Sequence, residues 1–215
     1  MNEFEAIVII AAVFIVFYIV GSFRNRRLLV GYSQAIKKHI GSASESVGFR
    51  PYGSSGFRAL SNMKKEAALS KMEIAVSLVD RENVMHYPLA LITNEHDKIT
   101  IWGFLKRPPG LSLEICSRRD HASFQKQRAG LTLTETALSG EELESLFRVS
   151  SSDLARANGI IVNEELQDRL RRAKSFLRYL LIDDRESRVY LTGKLTSESV
   201  APLLDLVLLS GKMVS

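Results

Sequence analysis

Between Glu5 and Arg24 the sequence runs through eighteen residues without a charge, dominated by Ile, Val, Ala and Phe. As a helix rising about 1.5 Å per residue this stretch spans roughly 27 Å, close to the hydrocarbon thickness of a bilayer. A helix on the surface of a soluble domain keeps a polar face, and this one has none along its length. A cleaved signal peptide opens on basic residues and ends at a small-x-small site. Here Glu3 and Glu5 come first, and Gly21-Ser22 follows Ile19-Val20 without that pattern. The run reads as a transmembrane anchor. Tyr18 and Phe23 lie toward its basic end, where aromatic side chains suit the interface.

Charge orients the anchor. Arg24, Arg26, Arg27, Lys37 and Lys38 follow the apolar run, and no acid appears before Glu45. The positive-inside rule therefore places the N-terminus outside and the C-terminal domain in the cytoplasm, with these five side chains at the lipid headgroups. Of 29 basic and 24 acidic residues, five basic and two acidic ones fall in residues 1–38, so the remainder is nearly balanced. The basic excess belongs to the membrane junction, and membrane lipid rather than nucleic acid is the expected partner. Cys116 is the only cysteine, which rules out an intramolecular disulfide and paired-cysteine metal sites. The compact length and lack of further targeting signals favour a single-pass protein of a prokaryotic cell membrane.

Four segments follow from the patterning: an anchor over 1–23, a basic juxtamembrane helix over 24–40, a Gly/Ser-rich loop region over 41–70 and an α+β domain over 71–215. Leu28, Leu29, Tyr32, Ala35, Ile36 and Ile40 recur at helical spacing, and Gly41 ends that helix. Gly48-Phe49-Arg50 and Gly56-Phe57-Arg58 repeat around Pro51 and Gly53, which is loop chemistry. Met72, Ile74, Val76 and Leu78 alternate with small or polar residues, as in a strand. Runs over 89–93 and 99–105 suggest a hairpin around Asn94-Glu95-His96-Asp97, and Leu111, Leu113 and Ile115 a further strand, giving an antiparallel meander over 71–117. Leu131 and Leu133 lie in a Thr-rich strand candidate, and 147–149 in a short one. Asp153 and Asn163 cap two helices, the second acidic at its start and basic toward its end. A hairpin over 179–192 precedes a Leu-rich helix from about Thr196 to Gly211. Apolar on most of its circumference, that helix is expected to be buried, with Leu204 and Leu208 the candidate contacts if a partner covers it instead.

The search for chemistry finds no catalytic constellation, cofactor motif or metal-ligand spacing. His39, His86, His96 and His121 form no zinc-hydrolase helix, and neither a nucleophile elbow nor a P-loop is present. Cys116 sits in an apolar alternating run and reads as a buried thiol. Asp80, Glu82 and His86 would serve a membrane-bound hydrolase or ligand-binding enzyme only by converging on one pocket. Arg50 and Arg58 could cradle a phosphate, making a lipid- or phosphate-sensing module a further alternative. The basic face of the Asn163-capped helix (Arg169, Arg171, Arg172, Lys174, Arg178) reads as solvated, with an acidic partner or headgroups the alternative.

An anchor followed by Asn25-Arg26-Arg27-Leu28, a helix, a pair of Gly-Phe steps, a strand ending in Asp80-Arg81-Glu82-Asn83 and a C-terminal Leu-rich helix resembles the layout of the calumin-like family, over residues 17–212. That resemblance implies a non-enzymatic adaptor or chaperone-like module beside the insertion machinery for multipass membrane proteins. Calumin-like proteins carry an acidic lumenal region before the helix and a long basic coiled coil after the domain. This sequence has five residues before its apolar run and stops at Ser215, so calcium binding and ribosome contact are not implied.

Overall fold

The computed structural model describes residues 2–124, 128, 130–138 and 141–214. Helix α1 (Glu3–Ile40) is continuous through both the apolar run and the basic collar. Asn2 and Glu5 start it with a reciprocal capping box, and the Gly41 amide closes it on the Lys37 carbonyl at 3.0 Å. Its most apolar window is only 6% buried against the rest of the protein, so it is one helix long and apolar enough to cross a membrane. Its buried residues are Gly21, Asn25, Tyr32, Ile36 and Ile40, a stripe at spacings of four and seven.

The remaining chain is α+β, as its patterning predicts. Among the described residues nine strands form one fully antiparallel sheet: β1 (Ser44–Pro51), β2 (Gly56–Met63), β3 (Leu69–Ser77), β4 (Lys98–Leu105), β5 (Leu113–Ser117), β6 (Thr134–Thr136), β7 (Phe147–Ser151), β8 (Leu177–Asp183) and β9 (Arg188–Lys194), in the spatial order β1-β2-β3-β4-β9-β8-β5-β7-β6. Helices α2 (His86–Ile92), α3 (Glu141–Leu146), α4 (Leu154–Ile161), α5 (Glu164–Ala173) and α6 (Val200–Met213) complete the fold. Met72, Ile74 and Val76 of β3, Ile99 and Ile101 of β4, and Val189 and Leu191 of β9 point to one face. There they meet Leu203, Leu206 and Val207 of α6 and Ile36 and Ile40 of α1 in a single core. Each fully buried Ile or Leu in it contributes about 1.5–3 kcal/mol.

Three expectations are corrected. The 41–70 region is an ordered hairpin, not a loop: β1 and β2 pair Phe49 with Ala59 and Arg50 with Arg58, and only 52–55 turn, with Gly53 at φ +65°. Its glycines and serines belong to an edge ribbon whose inward side, Phe49 against Phe57 at 5.6 Å between ring centroids, holds it on the core. The run over 89–93 is helix, not strand. Asn83 Oδ1 accepts from the amides of Met85 and His86 at its start, and Asn94 ends it at φ +55° while the Glu95 amide bonds the Ala90 carbonyl at 2.8 Å. Finally, β5 does not continue the meander. Pro108-Pro109-Gly110 releases the chain, and the β8–β9 hairpin, buried on both faces at β8, takes the place beside β4. Leu131 packs beside Cys116, Tyr179 and Leu181, and the Thr-rich strand is confined to β6.

Candidate functional site at the membrane junction

The stripe on α1 contains one polar member, and it organises the junction. Asn25 is fully buried; its Nδ2 donates to the Val79 carbonyl at 3.3 Å and its Oδ1 accepts from Arg81 Nη1 at 3.1 Å. Arg81 in turn forms a two-pronged pair with Asp97, Nη1 to Oδ1 at 2.9 Å and Nη2 to Oδ2 at 3.0 Å. Asp97 Oδ1 also accepts from the Val79 amide at 2.8 Å. A helix residue, the turn after β3 and the residue before β4 are thus tied by one network. One turn toward the apolar end, Gly21 meets the same turn: a Cβ there would lie 2.1 Å from the Arg81 carbonyl oxygen. Only glycine lets the two backbones approach so closely.

Farther from the membrane stretch α1 becomes part of the domain. Tyr32, Ile36 and Ile40 are buried in the core, and His39 Nε2 lies 2.8 Å from Asp205 Oδ1 of α6, which is also held by Arg169 of α5. Burial beside Asp97 raises the Tyr32 phenol above its ordinary range. Helix and sheet are therefore one body with no linker between them.

The sequence-derived residues distribute unevenly over this body. Arg24, Arg26, Arg27, Lys37 and Lys38 are exposed around α1 and make no ion pair among the described residues. Arg50 and Arg58 are exposed and directly opposed across β1 and β2. Their hairpin tip is tied to the junction, since the Leu78 amide donates to the Ser55 carbonyl at 2.7 Å. Leu204 is fully buried, with no face free for a partner, and Leu208 packs partly buried on the core, because α6 is the interior helix between α1, α5 and the sheet. On the α5 basic face Arg169, Arg172 and Lys174 are neutralised by Asp205, Asp168 and Glu142.

Among the described residues the side chains considered for catalysis do not come together. Glu82 lines a cavity with Phe14, Ile15 and Tyr18, whereas His86 turns to Glu95 at 3.4 Å; among the described residues no bond joins Asp80, Glu82 and His86. Cys116 is buried, and burial beside Glu114 pushes its thiol up to about 12. His121 faces Arg128 at 2.7 Å, and burial with neighbouring arginines lowers its pKa. Among the described residues no three His, Cys, Asp or Glu side chains gather as metal ligands.

Sequence reasoning missed Asn25 as an anchor and Asp97 as its distant support. The available signal was spacing: Gly21 and Asn25 continue the Tyr32–Ile36–Ile40 stripe back to the apolar run.

Taken together, fold and junction define an α+β domain built on the C-terminal half of a helix that is long and apolar enough to cross a membrane. The model of the family described as PAT complex subunit CCDC47 matches residues 3–210, and the chain belongs to that family. This bears out the calumin-like resemblance and places the chain among components of membrane-protein biogenesis complexes. Among curated proteins compared with it, none matches.

Proposed function

We propose that the protein is a non-enzymatic adaptor in multipass membrane-protein biogenesis, holding its domain at a fixed height and angle over the bilayer where a membrane-protein or insertion-machinery partner binds. The observation that carries this reading is the junction. Asn25, Arg81 and Asp97 lock the domain to α1, which suits a platform and not a tethered catalyst. The free arginines at 24, 26 and 27 support a cytoplasmic domain and an outward N-terminus by the positive-inside rule. Arg50 and Arg58, carried by the hairpin tied to the junction, are suited to anionic headgroups.

Crosslinking in cells followed by mass spectrometry tests the adaptor role, which predicts reproducible recovery of membrane-insertion components and of multipass substrates. Recovery of soluble proteins alone would overturn it. For orientation, protease added to inverted vesicles should digest the domain, and protease added to right-side-out vesicles should leave it intact; the reverse pattern refutes the topology.

A further inference from the structure

Helix α2 is out of place for a segment between two sheet strands. Among the core-facing side chains of the domain it contributes only Ala90. Its apolar side chains instead face outward: Met85 is 76% exposed and Ile92 82%, with Leu89 and Leu91 also open. Apolar surface gathered on one short element marks something that covers it.

The position of the segment identifies the cover. Tyr87 lies against Phe17 of α1, ring centroids 6.1 Å apart, and Phe17 is within the uncharged run, in its C-terminal half. Val84, Glu82 and Asn83 share a cavity of about 330 Å³ with Phe14, Ile15 and Tyr18. A second one, of about 90 Å³, is lined by Phe17, Val20, Gly21, Arg24, Arg81 and Tyr87. Residues 82–87 therefore run alongside the part of α1 that lies among lipid, two or more turns beyond the clamp at Asn25. Only Glu82 and Asn83, which line the cavity between them, interrupt the apolar surface that runs from α1 to α2. The backbone is prepared for that setting: Asn83 caps the amides of Met85 and His86, Thr93 Oγ1 bonds the Leu89 carbonyl at 3.0 Å, and Asn94 closes the helix end. His86 lies 3.4 Å from Glu95, and Glu82 is half-buried against α1, one carboxylate oxygen buried without a hydrogen-bond partner, so its charge is turned toward α1 and away from the outward apolar side chains.

We infer that residues 84–92, comprising α2 and the turn that leads into it, form a membrane-embedded interfacial element, with Met85, Leu89, Leu91 and Ile92 inserted among the acyl chains of the leaflet on the domain's side. The bilayer is the occupant because the surface continues that of a membrane-spanning helix. A short amphipathic element at this depth gives the protein a second foothold beside its anchor. This rests on α1 crossing the membrane, and the experiment separates the two.

The full chain is reconstituted in phosphatidylcholine vesicles containing a photoactivatable acyl-chain lipid, irradiated and mapped by peptide mass spectrometry. Label on both α1 and the peptide containing 84–92 is the expected result. Label on α1 alone overturns the inference, and label on neither overturns the span as well. A second measurement avoids any dependence on labelling chemistry: Ile92→Trp in a Trp102→Phe background leaves one indole at the helix end. Blue-shifted emission that loses intensity in vesicles of brominated lipid supports insertion. Emission as in water, unchanged by bromine, refutes it and leaves the face to a protein partner.

Discussion

Replacing Asp97 with Ala should loosen the junction between the membrane helix and the 79–82 turn, at a cost set by the clamp. The carboxylate accepts from the Val79 amide and from both Arg81 nitrogens, and the side chains of Arg81 and Asp97 are only 13% and 7% exposed. Truncation leaves the Val79 amide without its acceptor and the guanidinium with Asn25 and the Val79 carbonyl alone. Breaking a buried, hydrogen-bonded pair by removing one partner costs about 3–5 kcal/mol. The small opening at Arg81 argues for the lower end, about 3 kcal/mol, which for a chain of this size lowers Tm by roughly 6–12 °C. The assay is thermal unfolding of the full chain in lipid nanodiscs for wild type, Asp97→Ala, Arg81→Met and the double variant. The double variant should be less destabilised than the two single losses added, with a coupling of about 1–3 kcal/mol. A loss below about 1 kcal/mol with no coupling would mean that the pair behaves as a solvated surface pair, and the clamp argument would fail.

Three further outcomes follow from the same contacts. Gly21→Val should displace the 79–82 turn, because its Cβ meets the Arg81 carbonyl at 2.1 Å; limited proteolysis between β3 and β4 should accelerate while the anchor stays membrane-bound. Arg50→Glu turns a like-charged cross-strand pair into an opposite one and should raise domain stability by a few tenths to about 1 kcal/mol, an effect that shrinks in high salt. Burial raises the Glu114 carboxyl above its ordinary range, against the attraction of Arg128. The folded state then keeps a proton that the unfolded chain has lost. The stability of wild type relative to Glu114→Gln should thus be greatest in acid and decline as pH rises from the ordinary carboxylate range through the raised value; denaturant titrations between pH 4 and 7 read the trend.

What could be read from residues alone was whatever periodicity and caps express locally. The apolar run, the Asn163-capped α5, the alternating β3 and the β8–β9 hairpin all carry their own signal within a few residues. The run over 89–93 is too short for its period to separate strand from helix, and only the Asn83 and Asn94 caps decide it. Edge ribbon β1–β2 hides behind Gly and Ser, since its pairing depends on register with β3 and not on composition. Asn25 and Asp97 look like ordinary polar residues at a helix collar and a turn. Their burial comes from Arg81, 56 and 16 positions away in sequence, so nothing local reports it.

Continuity of α1 through membrane and domain makes it a lever as well as an anchor. From Phe14, near the middle of the apolar run, to Ile40 the helix rises about 39 Å. With no hinge between, a tilt of about 10° at the bilayer carries the far end of the domain sideways by about 7 Å. Bilayer thickness and the neighbours that press on the helix would then set where the sheet stands over the membrane. A thicker bilayer, which reduces the need to tilt, would stand the domain more upright.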